Sequence, residues 1–82
     1  MLVTYTSKAK EDLIRIDWKM RHRIIDILGK VEAGERRLDF AKMHNSEYYK
    51  VNFPNHLLIG SVESGEFNVI TVMEKKRIKF PD

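Results

Sequence analysis

Three short runs of β-branched and aromatic residues fill most of the second half of the chain, and only breaks of two or three residues separate them. The runs cover 48–53, 56–63 and 67–73, and the turn-forming pairs Pro54-Asn55 and Ser64-Gly65 lie at the breaks. Connections this short cannot contain the crossover that parallel strands require. The pattern therefore predicts an antiparallel meander of three strands.

The first of these runs alternates between apolar and polar residues. Since residues two apart share one face of a strand, one side is predicted to join the core through Tyr49, Val51 and Phe53. The opposite side is predicted to carry an exposed polar row of Tyr48, Lys50 and Asn52. A basic run follows the third strand, with four cations among five residues: Lys75, Lys76, Arg77 and Lys79.

The first half of the chain has the pattern of one strand followed by helix. Residues 2–5 form a β-type run, and Thr6 or Ser7 offers a side-chain oxygen to cap a helix start. From Ala9 to Val31 the apolar residues recur at helical spacing, which allows one long helix or two. Gly34 is a suitable helix stop. The N-terminal strand is expected to join the sheet, with the helices on one of its faces.

Length and composition indicate one small domain over 1–82. The order of its runs predicts an α+β fold, with a small antiparallel sheet of about four strands and the N-terminal helical segment on one face. The chain has 82 residues, 43% of them hydrophobic, a formal charge of +3 and no cysteine. The charge makes polyanions plausible partners. The lack of cysteine and of any apolar run long enough to span a bilayer predicts a cytoplasmic protein with no membrane partner.

Most enzyme classes lack their signals in this sequence. There is no metal-ligand spacing among His, Asp and Glu, no glycine-rich phosphate loop and no Ser-His-Asp order, so no metal and no cofactor are expected. RNA cleavage needs neither a metal nor a cofactor if a base takes the ribose 2′-OH proton, an acid protonates the leaving oxygen and cations hold the phosphate. Lys50 and the basic run supply cations. His56 is a candidate acid or base, or it merely borders the Pro54-Asn55 turn; His44 is an alternative.

Other features of the sequence keep two interpretations open. The basic run with Phe80 beside it suits single-stranded RNA, with Phe80 stacking on a base, but it also suits a solubilising strand end. Tyr48 is placed to stack on a base or to cover the sheet edge. The arginines at positions 21, 23, 36 and 37 are interpreted as ordinary helix and loop surface.

Several local phrases together resemble the RelE/ParE superfamily of toxins from bacterial toxin–antitoxin modules. They span nearly the whole chain and lie at 7–13, 23–24, 41–43, 49–53 and 69–77. The resemblance implies a break between two antiparallel helices near Asp17 to Lys19, with Trp18 packing at the corner. It also implies an antitoxin partner, an RNA-binding face on the ribosome in RelE-like members, and inhibition of DNA gyrase in ParE-like ones.

The resemblance leads to a prediction of function and of site residues. The chain is predicted to be a toxin that cleaves mRNA on the ribosome, with Lys50 matching the first basic residue of the family's entry strand. Leu57 stands where an arginine is common. The alternatives are a gyrase inhibitor or a catalytically degenerate binding module. The predicted catalytic residues are Lys50, His56 and Arg77, and the predicted RNA-binding residues are Tyr48, Asn52, Lys75, Lys76, Lys79 and Phe80.

Overall fold

Five strands and two helices make up the part of the chain, residues 1–75, that the computed structural model describes. In chain order they are β1 (Leu2–Tyr5), α1 (Ser7–Arg15), α2 (Trp18–Glu32), β2 (Ala41–Lys42), β3 (Tyr49–Phe53), β4 (His56–Glu63) and β5 (Glu66–Glu74). The strands form one sheet in the order β1-β5-β4-β3-β2. The α+β class is as predicted. The sheet differs from the expectation because β1 pairs in parallel with β5 and the short β2 adds a fifth strand.

The predicted meander is confirmed, and its turn residues explain why it is so tight. Asn55 adopts a left-handed conformation with φ 63° between β3 and β4. Ser64 and Gly65 both have positive φ, 48° and 78°, between β4 and β5. Two successive residues of this kind match the type I′ turn, whose twist suits a two-residue hairpin. The turns thus fix which residues of neighbouring strands face each other.

Two helices are present, with the break where the resemblance implied it. Thr6 caps α1, its side-chain oxygen accepting a hydrogen bond from the Ala9 amide at 3.1 Å. No glycine or proline ends α1. Instead, the Arg21 guanidinium on α2 donates to the free carbonyls of Leu13 and Ile14 at 3.3 and 3.4 Å. This arginine, interpreted from sequence as ordinary surface, therefore holds the helical hairpin together.

Gly34 ends α2 as predicted. Its φ of 76° is left-handed, its amide donates to the Val31 carbonyl at 3.1 Å, and the Glu35 amide donates to the Lys30 carbonyl at 2.9 Å. These two bonds form a Schellman motif, which satisfies carbonyls that a helix end leaves free. Neither α1 nor α2 is long and apolar enough to cross a membrane.

The core lies between the helices and one face of the sheet. Phe67 on β5 is fully buried at its centre and meets the Phe40 ring edge-on, with 4.9 Å between ring centroids. Ile24 and Leu28 of α2 are also fully buried. The sheet residues predicted for the core, Val51 and Phe53, are buried, and Tyr49 is half-buried. The alternation of β3 therefore predicted its inner face correctly.

The prediction that Trp18 packs at the corner of the helical hairpin is wrong. Its side chain is 57% exposed at the first position of α2. It meets His22 edge-on, with 5.7 Å between ring centroids, and the Lys19 ammonium lies 5.8 Å from its ring. Arg21 closes the corner instead, so the tryptophan stays on the outer side of the helix.

Asp12 of α1 covers the edge of β5 beyond the end of β1. Its carboxylate accepts hydrogen bonds from the Thr71 hydroxyl at 2.6 Å and from the Val72 amide at 3.0 Å. Lys8 forms an ion pair with it at 3.1 Å. Burial favours a higher pKa for Asp12, but the hydrogen bonds from Thr71, Val72 and Lys8 outweigh it, so the pKa lies below the ordinary 3.8.

Replacing Asp12 with asparagine is expected to destabilise the fold by about 1–3 kcal/mol at pH 6, because the charge-assisted bonds to β5 are lost. In the native chain this contribution is complete above pH 3.8 and is lost as the pH falls through the lowered pKa of Asp12. Urea unfolding at pH 6 and pH 3 checks this. The difference between native chain and variant should shrink at pH 3, and an equal difference at both values would contradict the assignment.

Candidate functional site

One face of the sheet packs on the helices, and the opposite face, here called the open face, carries the predicted polar row of β3. Alternation from the buried residues of β3 places Lys50 and Asn52 on the open face, and both are exposed. The strand register puts Lys50 opposite Ile59 and Asn52 opposite Leu57. Tyr48, just before β3, is 46% exposed. The polar row predicted from sequence is therefore on the surface.

The centre of the open face is apolar rather than basic. Leu57 pairs with Asn52 on one side and with Met73 on the other, so the three side chains form one row across the sheet. Met73 is 44% exposed, and Leu57 and Ile59 are half-buried. Leu57 thus belongs to an apolar strip, and Lys50 lies at the margin of this strip.

Lys75 is held beside the turn between β3 and β4. Its amide donates to the Asn55 carbonyl at 2.8 Å, and its ammonium donates to the Phe53 carbonyl at 3.2 Å. Phe53 is three residues from Lys50, which corresponds to about 10 Å along a strand. Lys50 therefore lies near the start of β3, and Lys75 is held about 10 Å further along, at the end of the same strand. The other predicted residues of the basic run, Lys76, Arg77, Lys79 and Phe80, lie outside the described residues.

His56 lies on the other side of the sheet from Lys50. It pairs with the buried Phe53 and precedes the buried Leu58 by two positions, so its side chain belongs to the helix-covered face. It is only 8% exposed, and its Nδ1 is 3.5 Å from the Pro54 carbonyl. The structure does not bring this predicted acid or base together with Lys50. His44, the alternative, is exposed in the loop between β2 and β3.

A basic groove runs beside the outer edge of β3 and was not predicted. It has a volume of about 300 Å³ and lies between α2, the segment 36–39 and β3. Three exposed arginines and one exposed carboxylate, that of Asp39, line it, and none of the arginines forms an ion pair among residues 1–75. Its apolar lining comes from Ile27, Leu38, Val51 and Phe53. The arginines are Arg23, Arg36 and Arg37.

The groove also contains a stretch of unpaired strand edge. The Tyr48 carbonyl accepts a hydrogen bond from Met43, on the β2 side. Alternate residues of an antiparallel strand point their peptide groups to the same neighbour, so the Asn52 peptide groups also face that side. β2 pairs with Tyr49 and Lys50, and within residues 1–75 no strand pairs with Asn52 on that side. The groove therefore combines positive charge with free backbone donors and acceptors.

Sequence reasoning missed this groove because its arginines come from distant segments. The only signals were the pair Arg36-Arg37 after the helix stop and a lone Arg23 on α2. Neither shows that the chain turns back beside β3. The convergence depends on where residues 36–39 cross the end of the core.

No protein-family model and no curated protein matches this sequence. Solved structures do match. The RelB-RelE antitoxin-toxin complex from Methanococcus jannaschii contains a chain with a TM-score of 0.74 and 19% identity, covering 87% of this chain and 88% of that one. A chain of the intact E. coli RelBE toxin-antitoxin complex matches with a TM-score of 0.69 and 17% identity, and the match covers 93% of this chain and 98% of that one. The YoeB dimer from Staphylococcus aureus matches with a TM-score of 0.64 and 18% identity, and this match also covers 93% of this chain and 98% of that one.

These similarities identify the fold class of the chain. Its strand and helix arrangement is the one found in RelE and YoeB structures, over nearly the whole length of both partners in each comparison. The resemblance to the RelE/ParE superfamily drawn from local phrases is thus confirmed at the level of the fold. With identities below 20%, the chemistry has to be argued from the residues of this chain.

Proposed function

We propose that this chain is the toxin of a toxin–antitoxin pair and that it cleaves mRNA on the ribosome. The observation that carries the proposal is a RelE-type fold whose open face presents Lys50 and Asn52, with Lys75 held at the Phe53 end of the same strand. An open sheet face with cations at its margin gives a single RNA strand both room and charge.

The reaction proposed is attack by a ribose 2′-oxygen on the adjacent phosphorus. The 2′-hydroxyl gives up its proton to water as the new O–P bond forms, the bond to the 5′-oxygen breaks, and that oxygen takes up a proton from water as it leaves. Negative charge grows on the phosphate oxygens in the transition state, and a fixed ammonium such as that of Lys50 stabilises it. Arg77, with Lys76 and Lys79, joins this proposal on its sequence position. Tyr48 and Phe80 are proposed to stack on bases.

An antitoxin partner follows from the same proposal, since RelE and YoeB are found in complexes with RelB and YefM. The basic groove suits an extended acidic segment of such a partner. Carboxylates would pair with Arg36 and Arg37, and the backbone would bond the free Asn52 edge. The proposal places the toxin in the cytoplasm, where it meets ribosomes.

Controlled expression in a bacterial host, with mapping of mRNA 5′ ends, tests the proposed activity. Growth arrest is expected, together with new ends inside translated messages but not in untranslated RNA. Purified chain should produce the same cuts when mRNA is bound to ribosomes and none on free mRNA. Growth arrest without new ends would contradict the cleavage proposal.

The apolar strip on the open face favours a second candidate function, inhibition by contact. Leu57, Ile59 and Met73 offer a surface that suits protein better than phosphate. A ParE-like inhibitor of DNA gyrase would use such contact without any catalytic group. Inhibition of supercoiling by purified chain, with mRNA left intact, would support this candidate. Expression without any growth effect would contradict both functions and indicate a binding module.

A further inference from the structure

The outer side of α2 carries a partly apolar seam that residues 1–75 leave uncovered. Trp18 is 57% exposed and Ile25 is 48% exposed, whereas Ile24, Leu28 and Val31 of the same helix are buried. At 3.6 residues per turn, positions 18, 22, 25 and 29 form one stripe on the side away from the core. Spacings of four, three and four are those of a helix that packs against another helix. The seam consists of Trp18, His22, Ile25 and Gly29.

The seam has a large ring at one end and space at the other. The Trp18 ring lies edge-on to His22, with 5.7 Å between centroids. At the other end, Gly29 is exposed, and among residues 1–75 no atom outside its own stretch of helix lies within 4 Å of the place where its Cβ would be. A large ring at one end and an open glycine at the other are complementary in shape. This complementarity is met when the same seam approaches in the opposite direction.

We propose that α2 pairs with α2 of a second copy of the chain, in antiparallel orientation about a two-fold axis between positions 23 and 24. This arrangement places Trp18 over Gly29 of the second copy and His22 against Ile25 of the second copy. A two-fold interface repeats each contact, so both ends of the seam are filled. The proposal does not depend on the proposed RNA cleavage, because the open face lies on the far side of the sheet.

Charges beside the seam favour this partner over an unrelated helix. Lys19 and Asp26 lie on the same flank of α2, one near each end of the seam. In the antiparallel pair this flank of one copy faces the same flank of the other copy. Lys19 of each copy therefore approaches Asp26 of the other copy. Asp26 already pairs with Lys30 on its own helix at 3.2 Å, and both side chains are largely exposed. Lys19 of the second copy thus adds a second cation beside Asp26.

Sedimentation velocity over a concentration series of the full chain tests the proposal, with the fluorescence of the sole tryptophan as a second readout. Dimer formation and a shift of Trp18 emission to shorter wavelength are expected to rise together. Ile25→Glu should raise the dimer dissociation constant at least about tenfold. Val62→Ala, which removes apolar surface from the exposed end of β4, should leave it unchanged. A chain that stays monomeric throughout the series overturns the proposal.

Charge reversal separates this pairing from other modes of association. Lys19→Glu alone should weaken the dimer by bringing two acidic groups together, and Asp26→Lys alone should weaken it by bringing together cations. The double variant should recover native affinity, because each copy again meets the opposite charge. Failure of the double variant to recover, while circular dichroism shows intact helices, overturns the antiparallel pairing. Seam variants that remain dimeric but lose binding to an antitoxin assign the seam to that partner instead and overturn the proposal as well.

Discussion

The Lys50→Ala variant is expected to cleave ribosome-bound mRNA about 100-fold more slowly than the native chain, the size of effect seen when one preorganised donor to a developing oxyanion is removed. Lys50 is exposed at the margin of the apolar strip, on the strand opposite Ile59. Few other cations on the described open face are available to take over its charge. Single-turnover cleavage with saturating ribosome–mRNA complex measures the effect.

Two controls make this result specific to the open face. Lys50→Arg keeps a cation and should retain more activity than the alanine variant. Lys10→Ala removes an exposed lysine from α1, on the helix side, and should leave cleavage unchanged. Both lysines are exposed, so neither alanine variant should change stability by more than about 0.5 kcal/mol. Equal cleavage by native chain and Lys50→Ala would remove Lys50 from the site and favour inhibition by contact.

The Gly60→Ala variant is expected to lose about 3 kcal/mol of stability, or to fail to fold. A Cβ at this position would lie 2.5 Å from the Asn68 carbonyl oxygen and 2.5 Å from the Phe67 ring. The carbonyl belongs to the backbone of β5, and the ring is fully buried at the centre of the core. Neither can move without disturbing the sheet, and overpacking of a core costs about 1–3 kcal/mol even where some relaxation is allowed.

The loss of stability should arise because Gly60 lies on the core face of β4, and not because a residue of β4 has been changed. Ser61→Ala, at the next position and pointing away from the core, is the matched control and should stay within about 0.5 kcal/mol of the native chain. Urea unfolding followed by circular dichroism gives both values. A domain of this size has about 4–12 kcal/mol of total stability, so a 3 kcal/mol loss is readily measured. A Gly60→Ala variant as stable as Ser61→Ala would show that the sheet is less tightly packed there than described.

Gly60 also marks where the regular strand pairing changes. The register between β4 and β5 shifts between Ile59 and Gly60, so that Ile59 faces Thr71 while Gly60 faces Val69. Because β5 has one extra residue at this point, Val69 and Val72 both lie on the core side although they are three positions apart. A glycine within a strand often marks such a bulge. The bulge also presents Thr71 and the Val72 amide at the strand edge, where Asp12 binds them.

Several features of this chain followed directly from the order of its residues. The alternation of β3 predicted that Lys50 and Asn52 are exposed and that Val51 and Phe53 are buried. The Pro54-Asn55 pair predicted a two-residue turn. That turn also makes Phe53 and His56 a cross-strand pair on one face of the sheet. The sequence therefore already implied that His56 lies on the other face from Lys50. The hypothesis for His56 considered its chemistry without this register.

Other features were decided only by the tertiary structure. Arg21 bonds carbonyls at the end of α1 that lie seven and eight residues earlier in the chain. Asp12 covers an edge of β5 about sixty residues away. Arg23 lines the same groove as Arg36 and Arg37. Alternation, helical spacing and turn residues act over a few positions and determine local conformation, because neighbouring residues share the same backbone geometry. These contacts depend instead on how the helices cross the sheet, which the packing of the whole core around Phe67 determines.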